Sequence, residues 1–163
     1  MHTITRFVES QRHLDGEINH IHKFKLNGKE VTLAIMQSDP SIPPEYLQNM
    51  DLYLNGKEVY AADRILDYEI KDKWLLVHSA TEYDHTSFTC LVDIETHDSR
   101  LLTQVGFGWY PRADFTKNDY MCNVDLEKET VTFTNDEEIK TFADVFKCPK
   151  DRVIFVGDKP IPL

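Results

Sequence analysis

Two histidines separated by a single residue, His20 and His22, are the first candidates for chemistry in this chain. In a β-strand, side chains two residues apart share a face, so the two imidazoles would align as a pair of metal ligands. Glu17 would point to the opposite face of such a strand, and the sequence identifies no third ligand. The alternative interpretation is that both histidines line the edge of the core, neutral and hydrogen-bonded.

A second candidate is the segment Tyr83-Asp84-His85, with Ser79 and Ser87 close to it in sequence. These residue types could form a Ser/His/Asp arrangement, but such a site depends on convergence in space that sequence adjacency does not provide. The chain contains neither G-x-S-x-G nor H-E-x-x-H, which are local signatures of two classes of hydrolase. We therefore interpret the segment as a polar hairpin loop and predict no catalytic residue.

The segment from Gly106 to Arg112 combines two glycines with an aromatic pair. No lysine follows the glycines, so they do not form a phosphate-binding loop. Trp109, Tyr110 and Arg112 belong to the residue types enriched at binding hot spots. If they are exposed, they form the preferred contact surface of the protein; if Trp109 is buried, it belongs to the core.

Acidic residues dominate the charge of the chain, with 28 acidic against 18 basic residues and a formal net charge of −10. A nucleic-acid binder needs a basic face, so this balance argues against one. It permits a basic protein partner, because complementary charge steers encounter. The acids concentrate at Asp136, Glu137 and Glu138, which we predict to be partner-binding residues. Their other interpretation is a solvated surface that keeps the domain soluble.

The elements that position these residues begin with a repeated hexapeptide, Leu-Asn-Gly-Lys-Glu-Val, at Leu26–Val31 and again at Leu54–Val59. Asn-Gly between two β-like runs is the strongest short-range signal for a two-residue type I′ hairpin. We predict one hairpin from residues 18–26 and 29–37 and a second from 51–54 and 57–61. The predicted register of the first hairpin pairs Leu26 with Lys29, Lys25 with Glu30 as an ion pair, Phe24 with Val31, Lys23 with Thr32, His22 with Leu33, and His20 with Ile35.

This register assigns the two faces of each hairpin, because side chains alternate along a strand. In the first hairpin, Ile18, Phe24, Val31, Leu33 and Ile35 share the face of the two histidines, which we predict to be buried. The opposite face is polar near the turn, but it also carries three apolar residues, so we expect that end to be covered on both sides. Those residues are Ile21, Ala34 and Met36. In the second hairpin, Leu52, Leu54 and Val59 are predicted to share one face, and Tyr53, Glu58 and Tyr60 the other.

The rest of the chain reads as a meander followed by one helix. We predict strands at 4–8, 74–79, 88–94, 100–105, 120–126, 130–134 and 152–156. Apolar residues at Ile139, Phe142, Ala143 and Phe146 follow the i, i+3, i+4, i+7 spacing of an amphipathic helix. We place this helix at about residues 136–147, with Asn135 as its N-cap.

These elements predict a single globular domain, residues 1–163, that is mainly β and built from antiparallel hairpins as a sandwich or open barrel with one C-terminal helix. Three separated cysteines contain no CxxC pair, and no stretch approaches the ~20 apolar residues of a membrane span. The N-terminus lacks the apolar run of a signal peptide. We therefore expect a cytoplasmic protein without a cofactor.

The favoured functional hypothesis is a non-catalytic acidic module that binds a basic protein, such as an inhibitor or an immunity-type protein. The alternative hypothesis is a β barrel that binds a small ligand or a metal, either as a binding protein or as an enzyme, with His20 and His22 in its site.

Overall fold

The structure is a computed structural model that describes residues 3–5, 19–37, 50–62, 64–80, 86–106, 122–133 and 138–158. These residues form β-strands and one short helix, consistent with the predicted mainly β class. The strands are β1 (Thr3–Thr5), β2 (Asn19–Leu26), β3 (Lys29–Gln37), β4 (Met50–Leu54), β5 (Lys57–Ala62), β6 (Arg64–Lys71), β7 (Trp74–Ala80), β8 (Thr86–Asp93), β9 (Ser99–Gly106), β10 (Cys122–Asp125), β11 (Thr130–Phe133), β12 (Ile139–Thr141) and β13 (Phe155–Asp158), and the helix is α1 (Phe142–Lys147).

The described strands form three sheets. The central sheet has the order β1-β6-β7-β8-β9-β13, the hairpin sheet β2-β3-β4-β5, and the third sheet β10-β11-β12. The described pairings are antiparallel, except that β13 runs parallel to β9. None of these sheets closes into a barrel, so of the two predicted architectures the sandwich fits the structure.

The central sheet is covered on both faces, and strand β7 shows how. All seven of its residues are buried, and alternate side chains enter different clusters. Leu75 and Val77 pack with the hairpin sheet in one cluster, whereas Trp74 and Leu76 pack with the third sheet and α1 in the other. A strand buried on both faces loses the polar alternation of a half-exposed strand. The molecule is therefore built in three layers.

The first hairpin has the predicted register at every position from Leu26–Lys29 to His20–Ile35. Asn27 and Gly28 both have positive φ, 51° and 78°, as a type I′ turn requires. Val31, Leu33 and Ile35 are buried, which confirms the inner face. Lys25 and Glu30 lie opposite each other as predicted, but they form no ion pair within the described part of the chain.

We predict that Gly28→Val lowers the free energy of unfolding by about 1–3 kcal/mol, because a β-branched residue is strained at positive φ. A Cβ built at Gly28 meets no atom within 4 Å, so the loss is conformational and not steric crowding. Urea unfolding measures it. Gly28→Asn is the matched control, because asparagine tolerates the left-handed region. Equal stability of the valine and asparagine variants would contradict the turn assignment.

The second hairpin departs from its predicted faces at one residue. The register shifts between Leu52 and Tyr53, so that Leu52 pairs with Tyr60 and not with Val59. This bulge turns Tyr60 toward the core, and its hydroxyl lies 2.6 Å from the Ser79 hydroxyl. Burial raises the pKa of Tyr60 above its ordinary value. The placement of Tyr60 on the outer face was therefore wrong, because an inserted residue reverses the alternation beyond it.

The helix exists but is shorter than predicted. It spans Phe142–Lys147, and its N-cap is Thr141, whose Oγ1 accepts a hydrogen bond of 3.2 Å from the Asp144 N–H. Residues 139–141, predicted to be helical, form β12 and pair with β11. Because Ile139 lies in that strand and not in the helix, it is exposed. The backbone pairing of residues 139–141 with β11 outweighs the helical preference indicated by only four apolar residues.

Candidate functional site

The outer face of the third sheet joins an exposed apolar side chain to acidic groups. Asn123, Thr132 and Ile139 form one row across the three strands, and Asp125, Thr130 and Thr141 form the next. Ile139 is 65% exposed. We call this surface, together with the flanking acids Glu127, Glu138 and Asp144, the acidic face.

The β10–β11 turn positions the acids at one end of this face. The Asp125 carboxylate accepts hydrogen bonds of 3.0 Å from the backbone N–H groups of both Glu127 and Lys128. This is the Asx-type turn that favours aspartate here. Glu129 has a φ of 56°, and its carboxylate accepts a 2.8 Å hydrogen bond from the Trp74 indole N–H. The turn is thereby fixed to the central sheet, and Glu127 remains exposed.

The other end of the acidic face is held by β12 and α1. Glu138 is exposed and lies 3.2 Å from the Lys140 ammonium. A hydrogen bond from that ammonium to Glu138 raises the pKa of Lys140. Asp144 lies in the first turn of α1, and Lys147 pairs with it at 3.8 Å. The carboxylates here are partly neutralised by neighbouring lysines.

The segment that builds this face is nonetheless acidic overall. Residues 122–147 contain seven acidic and three basic side chains. Two of the acids, Asp136 and Glu137, are among the predicted partner-binding residues, and they lie outside the described residues, as do Trp109, Tyr110 and Arg112. Glu138 is the predicted partner-binding residue that the structure describes. Sequence reasoning did not identify Ile139 as a surface residue, because its spacing matched a helix.

The histidine pair lies on β2, as predicted, where His20 pairs with Ile35 and His22 with Leu33. His22 is half-buried, and its Nδ1 lies 3.3 Å from the Tyr68 hydroxyl. Its ring also packs against Phe24, with centroids 5.4 Å apart. His22 therefore lies at the edge of the core with a hydrogen-bond partner, which is the position expected if it is not a metal ligand. The side chain of His20 lies outside the described part of the structure.

The serines near the predicted polar loop do not converge. Ser79 pairs with Phe88, and Ser87 pairs with Ala80, so the two hydroxyls lie on opposite faces of the central sheet. The Ser79 hydroxyl contacts Tyr60. Tyr83, Asp84 and His85 lie outside the described residues.

A polar network that sequence adjacency could not reveal lies on the central sheet. His78 Nδ1 is 3.2 Å from the Thr89 hydroxyl, and His78 Nε2 is 4.0 Å from an Asp67 oxygen. Cys122 adjoins the network through Thr103, with the hydroxyl 4.0 Å from the thiol. Asp67, His78, Thr89 and Thr103 come from four strands, so the pairing of β6, β7, β8 and β9 brings them together, and β10 adds Cys122 from the third sheet.

Burial controls the chemistry of the thiols. It raises the pKa of Cys122 to about 11, even though hydrogen bonds from Thr103 and Thr89 act in the opposite direction. It raises the pKa of Cys90 to about 12. Because the thiolate is the nucleophilic form, both thiols are held in their unreactive state at neutral pH.

No group of three or more His, Cys, Asp or Glu side chains is arranged to hold a metal ion among the residues with described positions. Within the same residues, no helix has the length and apolar character to cross a membrane. Comparison of the chain with protein-family models, with curated proteins and with solved structures found no match.

Proposed function

We propose that the protein is a non-catalytic binding module for a basic protein, of the inhibitor or immunity type, and that the acidic face is its contact surface. The observation that carries this proposal is the position of Ile139, an exposed apolar side chain on the edge strand of the third sheet, with Glu138 next to it in the chain and Asp125 in the neighbouring row of the same face. Interfaces commonly combine a central apolar anchor with a polar rim. A basic partner would cover Ile139 and pair with the surrounding acids.

Electrostatics supports the same partner class. The formal net charge of −10 attracts a basic protein over long range. Carboxylates on the rim mainly raise the association rate, and their effect falls as salt shortens the screening length from about 10 Å at 0.1 M to about 3 Å at 1 M.

The charge-reversal variant Asp136→Lys, Glu137→Lys, Glu138→Lys tests the proposal. Untagged wild type is immobilised and used to capture proteins from lysate of the native host at low and at high salt, with identification by mass spectrometry. We expect one basic protein to be retained at low salt and released at high salt. The purified partner should then bind the variant at least tenfold more weakly, because several attractive pairs become repulsive.

The control variant reverses three exposed acids elsewhere, Asp72, Glu95 and Asp151. It changes the net charge by the same amount. The comparison therefore distinguishes the loss of a contact at the acidic face from a general loss of long-range attraction between the two proteins. Ile139→Ala should weaken binding without changing the melting temperature, because the side chain is exposed. Equal weakening by both charge reversals, or no retained partner at low salt, would contradict the proposal.

A further inference from the structure

The outer face of the hairpin sheet carries two exposed large hydrophobic side chains, Ile21 at 57% and Met36 at 41% exposure. The sequence predicted that this end of the hairpin would be covered on both sides. Within a single chain both side chains reach solvent, so no other described part of the same chain covers this face. Clusters of exposed apolar side chains on a sheet face mark interaction surfaces.

The register aligns this face into a continuous row. Ile21 lies opposite Ala34, Ala34 opposite Tyr53, and Tyr53 opposite Glu58. The row thus crosses all four strands of the sheet, from β2 to β5. In the middle of this row the small side chain of Ala34 lies beside the large, half-buried side chain of Tyr53. Such a pair of neighbours offers a depression next to a protrusion.

The charges on this face are separated across the sheet. Lys23 is exposed on β2 and faces Thr32, whereas Glu58 is exposed on β5 and faces Tyr53. Neither Lys23 nor Glu58 forms an ion pair with another described residue. Asp51 adds to the negative side, with a carboxylate oxygen 3.5 Å from the Tyr53 hydroxyl. The face is therefore positive along one outer strand and negative near the other.

We propose that this face binds a second copy of the same chain, forming a symmetric dimer by packing hairpin sheet against hairpin sheet. A two-fold axis along the strands, midway between β3 and β4, lays β2 of one copy over β5 of the other. Ala34 of each copy then accommodates Tyr53 of the other. Lys23 of one copy then lies about 6–7 Å along the strand direction from Glu58 of the other copy. A lysine side chain is long enough to span this offset. Each contact occurs twice, as in isologous interfaces.

The size of the face sets the expected strength. Four strands about 4.8 Å apart, with about seven residues each at about 3.3 Å, give a face of roughly 400 Å². This is about half of the ~800 Å² that each partner buries in a standard stable interface. The dimer should therefore be weak and form only at high protein concentration.

Sedimentation velocity and light scattering test the proposal over protein concentrations from about 1 to about 500 µM. We expect the average mass of the wild type to rise from 19.0 kDa toward twice that value. Lys23→Glu and Glu58→Lys should each raise the dissociation constant at least tenfold, because each creates two repulsive pairs. An equimolar mixture of the two variants should regain wild-type association, because both charge pairs become attractive again.

The recovery in the mixture is decisive, because misfolded variants could not restore each other. Lys128→Glu, an exposed lysine in the turn of the third sheet, is the control and should leave dimerisation unchanged. Three results would overturn the proposal: a monomer at every concentration, a dimer unaffected by either variant, or a mixture that fails to recover. Neither Lys23→Glu nor Glu58→Lys changes the acidic face, so this test and the capture of a basic partner succeed or fail separately.

Discussion

Replacing Phe142 by alanine is expected to lower the free energy of unfolding by about 3–5 kcal/mol, the usual cost of removing a large aromatic side chain from a core. Phe142 is 2% exposed and belongs to the cluster between the central sheet and the third sheet. Its ring packs edge-on against Trp74, with centroids 4.8 Å apart. Truncation would leave a cavity beneath the start of α1. Urea unfolding followed by fluorescence measures the change.

Ile139→Ala is the matched control, three residues earlier in the same segment. A helix over residues 136–147 would bury both side chains and make both substitutions costly. In the structure Ile139 is exposed on β12, so its truncation should change stability by no more than about 0.5 kcal/mol. If the two variants lost similar amounts of unfolding free energy, the result would favour the longer helix and contradict the assignment of residues 139–141 to β12.

Arg100→Met is expected to cost about 3 kcal/mol, because it removes a buried guanidinium that donates to several half-buried acceptors. The guanidinium donates hydrogen bonds to the carbonyl oxygens of Cys148, Phe146 and Ser99 and to the Asp98 carboxylate, at 2.7–3.0 Å. These bonds attach the end of α1 to β9. Arg100→Lys keeps the charge but lacks the planar fork, so its loss should be intermediate. Equal stability of wild type and Arg100→Met would contradict this role.

The same contact predicts a pH dependence. Burial acts to raise the pKa of Asp98, but hydrogen bonds from Arg100 and from the Ser99 N–H outweigh it and hold the pKa below its ordinary value. A carboxyl with a lowered folded-state pKa stabilises the protein above its unfolded pKa of about 3.9 and loses that contribution as the pH falls. The stability difference between wild type and Arg100→Met should therefore narrow between pH 7 and about pH 3. If the stability difference between wild type and Arg100→Met stayed constant over this pH range, the ionisation of Asp98 would make no contribution to stability through Arg100.

Part of the candidate site could be predicted from the sequence. Acidic composition and the cluster ending at Glu138 indicated a surface for a basic partner, and Glu138 is exposed. The exposed Ile139 that follows it was assigned to a buried helix face. Four apolar residues at helical spacing are weak information when a neighbouring strand offers backbone hydrogen bonds to the same segment. The pairing of β11 with β12 decided the outcome.

Bulges account for two further differences. Strand β6 was not predicted, and its register shifts between Ile65 and Asp67, so that inward-facing Ile65 and Tyr68 are three residues apart. An inserted residue breaks the period of two on which strand prediction depends. The same effect in β4–β5 reversed the predicted direction of Tyr60.

What the sequence determined by itself is local. Asn-Gly demands two residues at positive φ, so the two hairpins, and the register and inner face of the first, followed from the residues of the turns. What only the tertiary structure decided is non-local: the sheet that each strand joins, the two-sided burial of β7, and the meeting of Asp67, His78 and Thr89. These depend on contacts between residues distant in the chain, and no local pattern encodes which distant strand will supply the hydrogen bonds.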